Sequence, residues 1–242
     1  MSGHSKWAQI KRQKGVADAK KGTLFTKLAN TITIAAREGG GNPESNFKLR
    51  LAMEKARQAN MPKDNVERAV KRGTGELEGV QIEEITYEAF GPEGLALLIE
   101  TVTDNKNRTA SEIRKIVTKH NGRLGEANSV NWMFERKGVI YLKKPDSAEA
   151  KETLELELID QGAEDIKEEG EMFIVYSRPT DLEKIKKIIE GKNIPVEHAA
   201  VEFIVNNPLD HSQIKSPEKI QRFLEELENS EEVNNFFSNY EE

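Results

Sequence analysis

Between Lys6 and Lys27 the chain carries Lys6, Lys11, Arg12, Lys14, Lys20, Lys21 and Lys27, opposed only by Asp18. Cations this dense and this unmixed suit a polyanion, because each lysine or arginine that neutralises a phosphate releases a condensed counterion. A solvated helix face would ordinarily interleave both signs. Trp7 sits inside the cluster and has two readings, a platform on which an exposed base stacks or an anchor in a core. The sequence leaves both open. A second group, Lys63, Arg68, Lys71 and Arg72, extends the positive charge, although Asp64 and Glu67 stand at helical spacing and can neutralise two of them. A third stretch, Asp104 to Thr109, places Lys106 and Arg108 just before an expected helix start. Free backbone N–H groups and two cations there can hold a phosphate, or the polar residues can simply shape a turn. The candidate nucleic-acid-binding residues are therefore Lys6, Trp7, Lys11, Arg12, Lys14, Lys20, Lys21, Lys27, Lys71, Arg72, Lys106 and Arg108.

Other chemistries find little support. There is no cysteine, which removes thiolate catalysis, thiolate metal sites and disulfides. The histidines at 4, 120, 198 and 211 are scattered and form no zinc spacing. Gly39 to Gly41 is followed by no Lys-Ser or Lys-Thr, and Gly73, Gly75 and Gly79 miss the dinucleotide fingerprint. The expectation is a chain without catalytic residues, metal or cofactor, and with no small-molecule substrate. A nuclease would need clustered metal-binding carboxylates, whereas the acids of the last third are spaced as a solvated helix face. Those acids leave a protein-only scaffold as a further alternative.

Charge is segregated along the chain. Residues 1–75 hold 16 Lys and Arg against 6 Asp and Glu, residues 76–137 hold 8 against 11, and residues 138–242 hold 12 against 25. A polyanion is thus attracted by the first third and repelled by the last, which orients the molecule on its partner. The longest apolar run, Leu95 to Ile99, is far too short to span a membrane. No apolar stretch follows the basic start as a secretory signal would require. A cytoplasmic protein without a membrane partner is expected.

The elements that position these residues follow from periodicity. Leu24, Phe25, Leu28, Ala29, Ile32, Ala35 and Ala36 mark the buried stripe of a helix ended by Gly39 to Pro43. A second helix is predicted over about 45–60, and a third starts near Pro62 and stops at Gly73. A hairpin follows around the turn Gly91 to Gly94. Thr109 and Glu112 form a capping box that starts a helix reaching Gly122, and a strand is predicted through Val130, Trp132 and Phe134. From Gly138 the order strand, helix, strand, strand, helix, strand is that of a ferredoxin-like unit. A last helix and strand lack a core of their own, so they return to complete the middle segment. The expected fold is α+β with three domains: a basic helical bundle at 1–78, an α+β domain of 79–137 plus 207–242, and an inserted ferredoxin-like α+β domain at 138–206.

The strings MSGHSKW at the start, AAREGGG at 35–41, NMPKDN at 60–65 with RAVKRGTGE after it, TDNKNRT at 103–109 and SVNWMFERKGVI at 129–140 together resemble the YebC/PmpR family over nearly the whole chain. The resemblance implies a helical first domain, two α+β domains, and control of gene expression by nucleic-acid binding without catalysis. Two targets are implied: DNA, for a transcriptional regulator, or ribosomal RNA, for a translation factor that helps elongation through proline-rich stretches. One departure lies at the C-terminus, where family members often carry Asp-Asp-Val and Tyr-His-Asn and this chain has Glu231-Glu232-Val233 and Phe237-Ser238-Asn239.

Overall fold

The computed structural model describes residues 18–77, 82–145 and 147–240. Their elements are α1 (Asp18–Gly39), α2 (Phe47–Gln58), α3 (Lys63–Thr74), β1 (Glu83–Phe90), β2 (Ala96–Thr103), α4 (Lys106–Lys119), β3 (Arg123–Leu124), β4 (Phe134–Lys143), α5 (Ala148–Asp160), β5 (Ala163–Glu169), β6 (Met172–Ser177), α6 (Leu182–Gly191), β7 (Val196–Val205), α7 (Pro217–Asn229) and β8 (Val233–Ser238). This is the α+β class expected, with a helical bundle followed by two antiparallel four-stranded sheets.

The chain divides into two compact units, residues 134–206 and the described residues within Ser5–Met133 and Asn207–Glu241. The larger unit holds the bundle and the first sheet. The predicted stripe of α1 supplies Leu28, Ile32, Ala35 and Ala36 to a core shared with Leu49, Ala52 and Ala56 of α2 and Ala69 of α3. Asn46 joins the first two helices: its amide donates to the carbonyls of Ala35 (2.7 Å) and Gly40 (2.8 Å), while its Oδ1 accepts from Leu49 N at 3.1 Å. One buried side chain thereby satisfies the orphan groups of two helix ends. Gly40, at φ +83°, makes the turn between them.

The first sheet has the order β3-β1-β2-β8, so the C-terminal strand pairs with β2 and completes the middle segment. The apolar run read from the sequence is buried throughout. Leu97 and Ile99 of β2 join Ile113, Ile116 and Val117 of α4 and Ile220, Phe223 and Leu227 of α7 in one core. Bundle and sheet are tied within this unit by Ile34, Ile82 and Val102, by Arg37 donating to Ile82 O, and by Lys27 Nζ donating to Glu228 O at 2.6 Å. Three local expectations are corrected. Helix α3 runs through Gly73 and ends at Gly75, which adopts φ +78°. Helix α4 starts at Lys106 behind the N-cap Asn105 rather than at a Thr109 capping box, because Thr109 is fully buried and hydrogen-bonded to Thr103 Oγ1 at 2.8 Å and to Glu232. The strand expected through Val130 and Trp132 is a turn ending in a short 3₁₀ segment, Asn131–Met133, and β4 then runs unbroken from Phe134.

The second unit is ferredoxin-like: β4-α5-β5-β6-α6-β7, with strand order β5-β6-β4-β7. Leu154 and Leu158 of α5 and Leu182, Ile185 and Ile189 of α6 are its buried apolar helical residues. A Cβ at Gly138 would lie 2.9 Å from Leu182 Cβ, which places α6 directly against β4.

Candidate nucleic-acid interface

Lys6, Trp7, Lys11, Arg12 and Lys14 lie outside the described residues. Lys20 falls on the first turn of α1, and the exposed Lys21 follows it. Lys27, one and a half turns on, is half-buried. Its ammonium is bound to the carbonyl of Glu228, in the last turn of α7, where a cation also meets the negative end of the helix dipole. Lys27 therefore has a structural task within this unit.

Helix α3 separates its cations by function. Lys63 pairs with Glu67 at 3.4 Å, which realises one of the two local pairings the spacing allows. The other does not form: Arg68 and Lys71, both exposed, have no side-chain partner among the described residues. They are three residues apart and so share a face. Arg72 turns inward, donating to Asn30 Oδ1 (3.0 Å) and to Thr33 Oγ1 (3.0 and 3.2 Å) of α1. Desolvation lowers its pKa from the ordinary guanidinium value, and the Asp104 carboxylate works in the opposite direction. Arg57, in the last turn of α2, is a further exposed cation without a side-chain partner among the described residues. In the sequence its only signal is a basic residue at the polar end of an amphipathic helix.

The loop before α4 is arranged differently. The Asn105 side chain accepts from Arg108 N at 3.1 Å, which uses one of the free helix-start donors. Lys106 pairs with Glu83 at 2.7 Å. Arg108 donates to Asp104 and to Glu232, both at 2.9 Å, and these partners raise its pKa, the hydrogen bond to Glu232 foremost. Both cations of the loop thus face carboxylates of the same unit. The departure noted at Glu231-Glu232-Val233 is part of this arrangement, since Glu232 also accepts from the buried Thr109.

Toward the other end of β1 from Glu83, Glu88 organises the turn that leads into β4. Its carboxylate accepts from the backbone N–H groups of Asn128 (2.6 Å), Val130 and Asn131 (2.9 Å) and from the Ser129 hydroxyl at 3.5 Å. Partial desolvation opposes the charged form, but these donors outweigh it and hold the Glu88 pKa below the usual glutamate value. Trp132, in that turn, is 66% exposed. Among the described residues no group of three or more His, Asp or Glu side chains is placed to hold a metal, and no helix is long and apolar enough to cross a membrane.

Comparison with known proteins matches the chain in two stretches. Residues 5–76 match a family model described as the TACO1/YebC protein N-terminal domain, and residues 82–240 match one described as the TACO1/YebC second and third domain. A Chlorobium luteolum protein called a probable transcriptional regulatory protein is 49% identical over 242 residues, covering 100% of this chain and 96% of its own. A protein of the same name from Dictyoglomus thermophilum is 46% identical, with 100% and 96% covered. The crystal structure of a conserved hypothetical protein from Aquifex aeolicus superposes with a TM-score of 0.79 at 40% identity, covering 93% of this chain and 91% of that one.

Proposed function

The chain belongs to the TACO1/YebC family, and from that premise we propose that it regulates gene expression by binding nucleic acid through its N-terminal helices, without catalysing a reaction. The observation that carries this reading is charge segregation together with exposure. Residues 1–75 hold 16 Lys and Arg against 6 Asp and Glu, and within them Arg68 and Lys71 stand exposed without side-chain partners among the described residues. The interface comprises Lys6, Trp7, Lys11, Arg12, Lys14, Lys20 and Lys21 with Lys71, to which Arg68 is added. Lys27 and Arg72 brace the described helices and add their charge to the field, whereas Lys106 and Arg108 are engaged by Glu83, Asp104 and Glu232. DNA in the control of transcription is the first reading, supported by the name that the Chlorobium and Dictyoglomus relatives carry. Phosphate contacts of this kind confer affinity rather than base sequence.

The test is a salt titration of duplex binding by the full chain. With about six cations on phosphates, log K falls against log salt with a slope of about −5. Arg68→Glu and Lys71→Glu, together with reversal at Lys11, Arg12 and Lys14, flatten it by about one unit each. An unchanged slope removes those residues from the interface. Promoter fragments bind more tightly than scrambled duplexes if transcription is the role. Equal binding shifts the reading to ribosomal RNA and translation in the cytoplasm, which crosslinking in cells followed by sequencing of the attached nucleic acid tests directly. Cleavage of either nucleic acid by highly purified protein would overturn the non-enzymatic part.

A further inference from the structure

Trp132 leaves most of its ring uncovered at 66% exposure, against the usual gain from burying an indole. It is nonetheless fixed. Its Nε1 donates to Ser129 O at 3.1 Å, so the polar edge is satisfied by the protein and the side chain presents π surface. The turn that carries it is itself held by the three backbone N–H groups gathered on Glu88, with Asn128 at φ +64°. Holding an aromatic ring outward in a pinned turn is preorganisation, which lowers the entropy lost when a ligand covers it.

The surroundings indicate the ligand. Among the described residues the other exposed large apolar side chains are Leu77, Leu156 and Ile159, none of them in this turn. A protein-docking centre is usually a cluster of apolar groups ringed by polar ones, and this turn carries no second exposed large apolar side chain. What flanks it is Asn128 and Asn131, both exposed, whose side-chain amides have no hydrogen bond among the described residues. An amide presents a donor and an acceptor side by side, the pattern that reads a base edge. Arg123 of β3 adds a cation nearby. Its guanidinium lies 4.3 Å from the Phe90 ring centroid, and a Cβ at Gly125, the first residue of the turn, would touch that same ring at 3.4 Å.

We propose that Trp132, with Asn128 and Asn131, forms a stacking site for one unpaired nucleobase. This rests on the nucleic-acid reading above and sharpens it: the preferred ligand is a single-stranded or looped segment, since a base inside a duplex is already stacked and must be extruded first. RNA loops and melted DNA offer the same chemistry.

The experiment uses the full chain labelled with 5-fluorotryptophan, whose two tryptophans give two fluorine resonances, the one from Trp132 assigned with Trp132→Phe. Probes are a 12-mer RNA without self-complementarity, its DNA counterpart, and the duplex of each. The Trp132 resonance shifts with single strands and not with duplexes, and the stronger of the RNA and DNA responses identifies the source. Trp132→Ala weakens single-strand binding about 5- to 100-fold with duplex affinity unchanged, while Trp132→Phe stays within a few-fold of the parent. Unchanged single-strand affinity in Trp132→Ala overturns the inference and leaves the charge-based reading standing. A resonance that responds to protein concentration instead of oligonucleotide also overturns it and assigns the ring to a second copy. Failure of every probe to bind at low salt overturns the proposed function itself.

Discussion

Replacing Gly73 by alanine separates two roles for that glycine with opposite signs. If Gly73 served only the helix, alanine would gain stability, since glycine in a helix interior is about 1 kcal/mol worse than alanine. The packing argues the other way. A Cβ at Gly73 would sit 2.4 Å from the Thr33 carbonyl oxygen and 2.7 Å from Ala36 Cβ, both on α1. The carbonyl is backbone and cannot rotate away, so α1 and α3 must separate by roughly 1 Å to restore ordinary contact. That movement stretches the Arg72 hydrogen bonds to Asn30 and Thr33, now 3.0 to 3.2 Å, out of bonding range. Overpacking of this kind costs about 1–3 kcal/mol and weakening of the Arg72 hydrogen bonds, partly recovered by water and side-chain adjustment, roughly 1 kcal/mol in all, which together exceed the propensity gain. The expected net loss is about 1–3 kcal/mol. Native-state hydrogen exchange of α1 and α3 reads it locally, as protection falling about 5- to 100-fold. Gly22, exposed on α1 with nothing within 4 Å of its would-be Cβ, is the control: Gly22→Ala raises protection by up to about 5-fold. Equal or greater protection in Gly73→Ala would refute the close-packing account.

Two further outcomes follow from polar contacts that join neighbouring elements. Asn239, 4% exposed, accepts from Ala96 N at 2.8 Å. Asn239→Ala therefore leaves a buried N–H unpaired at the β2–β8 edge and destabilises the first sheet by about 1–3 kcal/mol, measured by exchange of the β2 and β8 amides; no change there would mean that the donor finds another partner. Glu226 of α7 holds α4 through Lys119 Nζ (2.9 Å) and His120 Nε2 (2.7 Å), and these hydrogen bonds, Lys119 first, lower its pKa against the opposing desolvation. A glutamate depressed in the folded state contributes stability that is present above its unfolded pKa, about 4.3, and lost as pH falls through the lower folded value. The α4–α7 contact should thus weaken below about pH 4 in the parent and lose that dependence in Glu226→Gln, as followed by exchange at the His120 amide.

The parts of the fold legible in the sequence are those set by period and local chemistry. The stripe from Leu24 to Ala36 required a helix whatever it packed on, and the strand-helix order after residue 138 required a ferredoxin-like sheet. The orphaned C-terminal elements required a host, which proved to be β2. The misreadings share a cause in contacts distant along the chain. Thr109 and Glu112 satisfy the spacing of a capping box, but Thr109 is taken by Thr103 and Glu232, the second of these 123 residues away. Gly73 resembles a helix stop because the carbonyl it accommodates belongs to Thr33, on another helix. Val130, Trp132 and Phe134 alternate as a strand does, yet Glu88 of β1 removes the backbone donors of Val130 and Asn131 from any ladder. Composition located the cations but not their partners. Glu83 and Glu232, which engage Lys106 and Arg108, are invisible to any local window around them.

That difference in partnership decides how each cation acts on a polyanion. Lys106 and Arg108 already neutralise carboxylates, so a phosphate that approaches them exchanges one anion for another and releases little. Arg68 and Lys71 are exposed and have no side-chain partner among the described residues, so each phosphate they meet would displace a counterion at no cost in those contacts. Lys27 and Arg72 lie between these cases. Their bonds to Glu228 O, Asn30 and Thr33 occupy some of their donors but leave their charge, so they fix α1 against α7 and α3 against α1 while adding to the field. On the proposed reading, binding strength in the described part of the bundle would therefore reside in the few side chains that the fold does not use, with the remainder holding those few on the helical frame.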